Sequence, residues 1–342
     1  VAVARPAIEP ASIPPPFPVK ESEMADDHEP EPGRRPARDD GSATDDRSAP
    51  DHEPAHDGVP LRELLDEAAG ALAAAGIQDP TVDAELIAGH VLGLSRGGVQ
   101  AQAVLRASIT ASDARRMREL VGRRAAREPL QHLTGSAPFR SLELLVGPGV
   151  FVPRPETELL AQLAVDALRS AAEPEPIGVD LGTGSGAIAL AMATEVPHAH
   201  VYAVERSADA HAWARRNVET VGADNVRLEH GDLADAFAEL DGRVAVVASN
   251  PPYVPDDAIP RDPEVRLFDP PAALYGGPDG LDVVRVISRR ALRLLHPGGL
   301  VAIEHGELQG THVRAILEAD GWRSPSTHVD LTLRDRVTTA LR

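Results

Sequence analysis

Apolar residues recur along this chain with two different periods, and the change of period divides it. From Leu61 the positions Leu61, Leu64, Leu65, Ala68 and Leu72 follow helical spacing, and Gly76 follows as a stop. Pro80 to Asp83 opens a second helix with Leu86, Ile87 and Val91 on one face, ended by Gly93. A third helix is expected around Val99–Ala107, and a fourth over Thr110–Ala126 with Met117, Leu120 and Val121 as its apolar stripe. The polar face of that fourth helix gathers Arg115, Arg116, Arg118, Arg123 and Arg124, with Arg127 just beyond. Such a face reads as a solvated helix surface before it reads as a contact for an acidic or RNA partner.

Between Phe139 and Val152 the alternation loosens around Gly147-Pro148-Gly149, which predicts a β-hairpin turning there. Pro155, Glu156 and Glu158 then suit a helix N-terminus, where a missing N–H costs nothing and negative charge meets the positive dipole end. From Ile177 short β-branched runs alternate with helical stretches. Strands are expected at Ile177–Leu181, His200–Glu205, Val226–His230, Val244–Ser249 and Leu300–Glu304. Helices are expected at Ala187–Thr194, Ala208–Val221, Leu281–Leu295 and Leu308–Ala319, and two β segments near Trp322–Val329 and Arg336–Ala340 finish the chain. The alternation predicts a doubly wound α/β sheet preceded by a small helical domain.

Residues 1–58 differ from both regions. They hold 6 Lys and Arg against 14 Asp and Glu, are dense in proline, and offer few apolar residues after Val19. Such a segment buries too little surface to offset its ordering entropy, so a disordered acidic tail is expected. The whole chain carries a net charge of −19. That balance argues against a broad phosphate-binding surface, and hence against direct nucleic-acid binding. There is no cysteine, and His90, His132, His211, His296 and His305 are not spaced as a ligand set, so no metal is expected. No run approaches the ~18 apolar residues of a membrane span.

Candidate chemistry falls at the ends of the expected strands, where open α/β sheets bind ligands. Asp180 to Gly186, DLGTGSG, joins the first strand to its helix. Gly182, Thr183, Gly184, Ser185 and Gly186 would let a cofactor approach the backbone. With Ala187 they also fit a dinucleotide fingerprint, so the loop alone does not separate NAD from S-adenosylmethionine. Glu205 closes the second strand and can accept from ribose hydroxyls; Asp232 could accept from an adenine amino group while Leu233 packs on the ring. The fourth strand ends at Asn250-Pro251-Pro252-Tyr253. Two prolines force the chain out of the sheet. The Asn250 amide, the Pro251 carbonyl and the Tyr253 ring would then converge on a planar –NH2 group, either a primary amide or an aromatic amine.

Asn-Pro-Pro-Tyr is also the form this turn takes in methyltransferases acting on amide or amino nitrogens. Further blocks narrow the likeness: Asp83-Ala84-Glu85-Leu86-Ile87, Leu92 to Arg96, Arg127 to Gly135, Val152-Pro153-Arg154-Pro155-Glu156-Thr157-Glu158, Gly276 to Asp282, and Arg334 to Val337. From roughly Leu61 to Leu341 the chain resembles the bacterial release-factor glutamine N5-methyltransferases of the HemK/PrmC type. The resemblance implies a Rossmann-like class I methyltransferase domain over 155–342, a helical substrate-recognition domain over 59–135, and a β-hairpin linker over 136–154. It implies S-adenosyl-L-methionine as methyl donor and a class I peptide-chain release factor as protein partner, in the cytoplasm and without a membrane. The acceptor would be the glutamine of a Gly-Gly-Gln loop. Asn250, Pro251 and Tyr253 would be catalytic, with Pro252 and Glu156 also against the substrate, and Asn250 near the cofactor. Ribosomal-protein glutamine methylation is the nearest alternative; adenine-N6 DNA methylation and non-catalytic cofactor binding stand further off. Glu205, His132 and Leu233 depart from the family pattern, which more often has aspartate at the first and an aromatic at the other two. Glu304-His305-Gly306, at the end of the fifth strand, reads as structural.

Overall fold

The computed structural model describes residues 58–342. The acidic tail expected over 1–58 lies, but for its last residue, outside them. The described chain opens with β1 (Val59–Pro60), then α1 (Leu61–Ala74), α2 (Pro80–Leu92), α3 (Arg96–Val104), β2 (Ser108–Ile109), α4 (Ala111–Ala125) and α5 (Leu130–Thr134). Leu61, Leu64, Ala68 and Leu72 of α1 pack with Ile87 of α2, Val99 of α3 and Met117 and Leu120 of α4 into one buried cluster. The third helix begins earlier than the apolar spacing predicts. Ser95 caps it by accepting a hydrogen bond from the Gly98 N–H at 3.1 Å. It ends by Arg106, which takes a left-handed conformation at φ 54°. The chain then continues into β2, which pairs antiparallel with β1.

The hairpin also differs from expectation. Its strands are β3 (Ser136–Phe139) and β4 (Leu142–Leu145), so it turns at Arg140-Ser141 and not at Gly147-Pro148-Gly149. Arg140 accepts φ 53° because its surroundings hold it: its N–H donates to Glu158 Oε1 at 2.9 Å, and its guanidinium pairs with Glu195. The glycines at 147 and 149 answer a different need. A Cβ at Gly147 would stand 2.5 Å from the Trp213 ring, and Trp213 Nε1 donates to the Pro148 carbonyl at 3.2 Å.

The second half follows as α6 (Thr157–Arg169), β5 (Ile177–Leu181), α7 (Ala187–Glu195), β6 (His200–Glu205), α8 (Ala208–Val221), β7 (Val226–His230) and β8 (Val244–Ser249). Two short helices, α9 (Pro263–Phe268) and α10 (Pro271–Leu274), precede α11 (Asp282–Leu294), β9 (Leu295–Glu304), α12 (Gly310–Ala319), β10 (Arg323–Val329) and β11 (Asp335–Leu341). One seven-stranded sheet results, ordered β10-β11-β9-β8-β5-β6-β7. Strands β7, β6, β5, β8 and β9 are parallel; β11 and β10 add an antiparallel edge. Strand order reverses between β5 and β8, so the crevice at their carboxyl ends is the topological switch point. Buried clusters cover both faces of the sheet, as a parallel sheet requires. Among the described residues no helix is long and apolar enough to cross a membrane.

Candidate functional site

One cavity of about 820 Å³ opens over the carboxyl ends of β5, β6, β7 and β8. Its wall includes Gly182, Thr183, Gly184, Ser185, Glu205, Asp232, Leu233, Asn250, Pro251, Pro252, Tyr253 and Glu156. Residues drawn from four strand ends and from the start of α6 thus face one space. Gly186 is the exception among the expected set. It caps α7 at φ 89°, a left-handed conformation that favours glycine, and it is not part of the wall.

The glycine loop is built to leave room. Gly182 and Gly184 have φ of 78° and 58°, and nothing stands within 4 Å of where a Cβ would project. A side chain would fill that cradle and would strain the backbone. Beneath it Asp180 is fully buried; its Oδ2 accepts from the Thr183 hydroxyl at 2.6 Å and the Ala189 N–H at 3.1 Å. Burial pushes the Asp180 carboxyl up to about 7. The folded pKa lies above the ordinary value, so this group's contribution to stability falls as pH rises from about 4 to about 7, by roughly 1.4 kcal/mol per unit. Asp180→Asn should therefore gain on the wild type across that window and hold its advantage above it. Denaturant titrations of both proteins between pH 5 and 8 check this, and a constant difference would refute it.

Glu205 uses its extra methylene to fold back on the loop. Its Oε2 accepts from the Gly184 N–H at 2.9 Å and its Oε1 from the Ser207 N–H at 2.7 Å. A carboxylate has about four acceptor positions, so two remain for hydroxyl groups. Asp232 is exposed, with Oδ1 accepting from the Ala234 N–H at 2.9 Å. His132, another departure from the family pattern, is partly buried with its Nε2 unpartnered; burial pulls its pKa down, so it stands as a neutral flat ring.

The turn Asn250 to Tyr253 is clamped from below. Val254 N–H donates to the Leu274 carbonyl at 2.8 Å, and Gly276 N–H returns to the Val254 carbonyl at 2.9 Å. Gln309 Nε2 donates to the Tyr253 carbonyl at 2.9 Å while its Oε1 accepts from the Gly306 N–H at 2.8 Å. The Gly276 to Gly280 loop lies so close that a Cβ at Gly276 would stand 2.4 Å from the Pro252 carbonyl oxygen, and one at Gly280 2.2 Å from that of Tyr253. Gly280 also has φ 75°. Gly280→Ala should therefore shift the turn and lower kcat by at least about tenfold, near 1.4 kcal/mol of barrier. Gly97→Ala, on an open helix surface, is the control. Equal turnover of the two variants would refute the clamp. Burial pushes the Tyr253 phenol upward, so it keeps its proton.

Spacing alone hid two contributions. Thr157, the first residue of α6, accepts from Asn250 Nδ2 at 3.2 Å, and Glu304 at the end of β9 is buried beside both. The only sequence signal for Thr157 was its place in the Pro-Arg-Pro-Glu-Thr-Glu block.

A PrmC N-terminal domain model matches residues 63–135, and a methyltransferase small domain model matches residues 142–273. Over 285 residues the chain is 50% identical to a release factor glutamine methyltransferase of Streptomyces coelicolor, covering 81% of this chain and 97% of that protein. The chain belongs to the release factor glutamine methyltransferase family. The family's relatives are not of one activity. A Streptomyces pristinaespiralis protein, a 4-amino-L-phenylalanine/4-methylamino-L-phenylalanine methyltransferase, is 38% identical over 288 residues, covering 82% of this chain and 95% of its own. A solved protein-(glutamine-N5) methyltransferase (release factor-specific) from Alicyclobacillus acidocaldarius matches at 28% identity and a TM-score of 0.36, covering 58% of this chain and 98% of that one.

Proposed function

We propose that the chain transfers a methyl group from S-adenosyl-L-methionine to the side-chain nitrogen of the Gly-Gly-Gln glutamine in class I peptide-chain release factors. The observation that carries this reading is the meeting of the open glycine cradle and the clamped Asn250–Tyr253 turn in one cavity. Gly182, Thr183, Gly184 and Ser185 would hold the donor, with Glu205 on the ribose and Asp232 and Leu233 at the adenine. S-adenosylmethionine supplies an electrophilic methyl group that needs no further activation. An amide nitrogen is a poor nucleophile, because its lone pair is delocalised into the carbonyl. Asn250 Oδ1 and the Pro251 carbonyl would accept its two N–H bonds, raise its electron density and aim it, while Tyr253 holds the amide plane. Holding reactants in line is worth ~7–11 kcal/mol in favourable cases. No strong general base is required, since the nitrogen becomes acidic once alkylated. Glu156, on the cavity wall, would border the substrate.

The helical region over 59–135 would grip the release factor, the linker over 136–154 would join it to the transfer domain over 155–342, and the enzyme would work in the cytoplasm beside its substrate. A second reading is methylation of a free aromatic amine. It is favoured by the pristinaespiralis relative and by the turn's equal suitability for an aromatic –NH2. Incubation with radiolabelled methyl donor and separate acceptors decides between them: a release factor, ribosomal proteins, duplex DNA and 4-aminophenylalanine. Label on the release factor, lost when its loop glutamine is changed, supports the first reading. Label on the free amino acid or on DNA instead would overturn it. Calorimetry should show binding of S-adenosylhomocysteine and none of NADH.

A further inference from the structure

We propose that Glu304, acting through Thr157, is a positioning residue that fixes which end of the Asn250 side-chain amide faces the acceptor nitrogen. The inference rests on the function proposed above for the Asn250 turn. Strands β8 and β9 run side by side, with Ser249 opposite Ile303, so the residues that follow, Asn250 and Glu304, end neighbouring strands. Glu304 is 1% exposed and Thr157 4%. Asn250 Nδ2 donates to Thr157 Oγ1 at 3.2 Å, and the buried Glu304 carboxyl lies beside both side chains, close enough to act on each.

An asparagine amide has a donor end and an acceptor end of nearly equal shape, so its orientation is set by its partners. Once ionised, which burial delays to about pH 7, the Glu304 carboxylate only accepts. The Thr157 hydroxyl has one hydrogen; with its oxygen accepting from Asn250, that hydrogen is free to turn to the Glu304 carboxylate. Both polar groups on the inner side of Asn250 are therefore acceptors, and only Nδ2 satisfies them. Oδ1 is turned outward to the cavity, where it can accept from an incoming N–H. A neutral amide in place of Glu304 could present either end, and the Asn250 amide would lose its fixed sense. Glu304 does not stand here for stability. Burial pushes its carboxyl up to about 7, against Thr157, Arg336 and Asn250, which favour its charge, and with Glu156, which opposes it; its Oε2 is buried without a hydrogen-bond partner. Burying such a carboxylate is unfavourable, and replacing buried charge by a neutral group is often neutral or stabilising.

Glu304→Gln and Thr157→Val in the full chain test this. Both should lower kcat for methylation of the release factor by about tenfold or more, near 1.4 kcal/mol of barrier. KM for the release factor and the affinity for S-adenosylhomocysteine should move less than about threefold, and the melting temperature of Glu304→Gln should not fall. A readout without turnover comes from nitrogen-15 NMR of the Asn250 side-chain NH2, assigned by its absence in Asn250→Ala. Its hydrogen exchange should be slow in the wild type and faster in Glu304→Gln. Unchanged kcat in both variants would overturn the proposal, as would a loss shared equally by kcat and cofactor affinity. If the wild type labels no release factor, the functional reading fails by itself. The amide exchange then decides the role of Glu304: faster exchange in Glu304→Gln upholds it, and unchanged exchange overturns it.

Discussion

Asn250→Ala should lower kcat by about 10²–10³-fold in a protein that still folds and binds S-adenosylhomocysteine. The size follows from what the amide is asked to do. Removing one preorganised polar group aimed at a reacting centre costs roughly 10²–10³ in kcat in a well-studied hydrolase. Asn250 stands in the same position, held from behind by Thr157 and Glu304 and closed in from below by the Gly276–Gly280 loop. The loss falls on kcat more than on KM, because the Pro251 carbonyl and the Tyr253 ring still receive the amide. The fold survives, since β8 up to Ser249 is set by its apolar side chains and by Ser249 Oγ donating to the Leu181 carbonyl at 2.6 Å. Single-turnover kinetics with saturating release factor, together with calorimetry of the cofactor product, separate the effects. Undiminished turnover would remove Asn250 from the chemistry, and lost cofactor affinity would move its role to the donor side.

The sheet was legible because its strands are short β-branched runs bounded by glycine, proline or charge. Val244–Ser249 and Ile177–Leu181 have the same limits in sequence and structure. The residues gathered around the cavity were legible for a related reason: a doubly wound topology brings strand ends together whatever the loops do. What sequence hid was set by contacts distant along the chain. The hairpin turn moved to Arg140 because Glu158 and Glu195, from two later helices, hold that residue in a left-handed conformation. Glu304 read as structural because nothing local marks a carboxylate at the end of a strand as facing Thr157, 147 positions earlier. Helices α9 and α10 were missed because each is too short for its apolar spacing to register. The arginine face of α4 was read as solvated, and Arg115, Arg116, Arg118 and Arg123 are exposed there; Arg124 departs from that reading, largely buried between Asp83 and Glu264.

Arg124 gives the second large effect. Arg124→Met should destabilise the protein by about 3 kcal/mol, a drop in melting temperature of roughly 6–12 °C for a chain of this size. The guanidinium is about a tenth exposed and has three partners. Its Nε donates to Asp83 Oδ2 at 2.7 Å, and its Nη1 to Glu264 Oε1 at 2.8 Å and to the Glu128 carbonyl at 3.2 Å. It therefore ties α2 and α4 of the helical region to α9, whose Val265 lines the cavity. Methionine keeps the bulk of the stem but leaves two largely buried carboxylates short of a partner, and Glu264 keeps Arg127, at 3.3 Å, as its cationic partner. Lysine should restore little, because one ammonium cannot reach both carboxylates as the planar fork does. The pH dependence gives the sign. Burial opposes the charge on Glu264, but hydrogen bonds from Asp262 and Arg124 outweigh it and hold the carboxyl well below the usual range. A depressed folded pKa contributes stability that is full above about 4.5 and is lost as pH falls toward the folded value. The gap between wild type and Arg124→Met should thus be widest near neutrality and shrink in acid. A gap that is absent at pH 7, or that widens below pH 4, would show that Arg124 holds α9 by packing and not by charge.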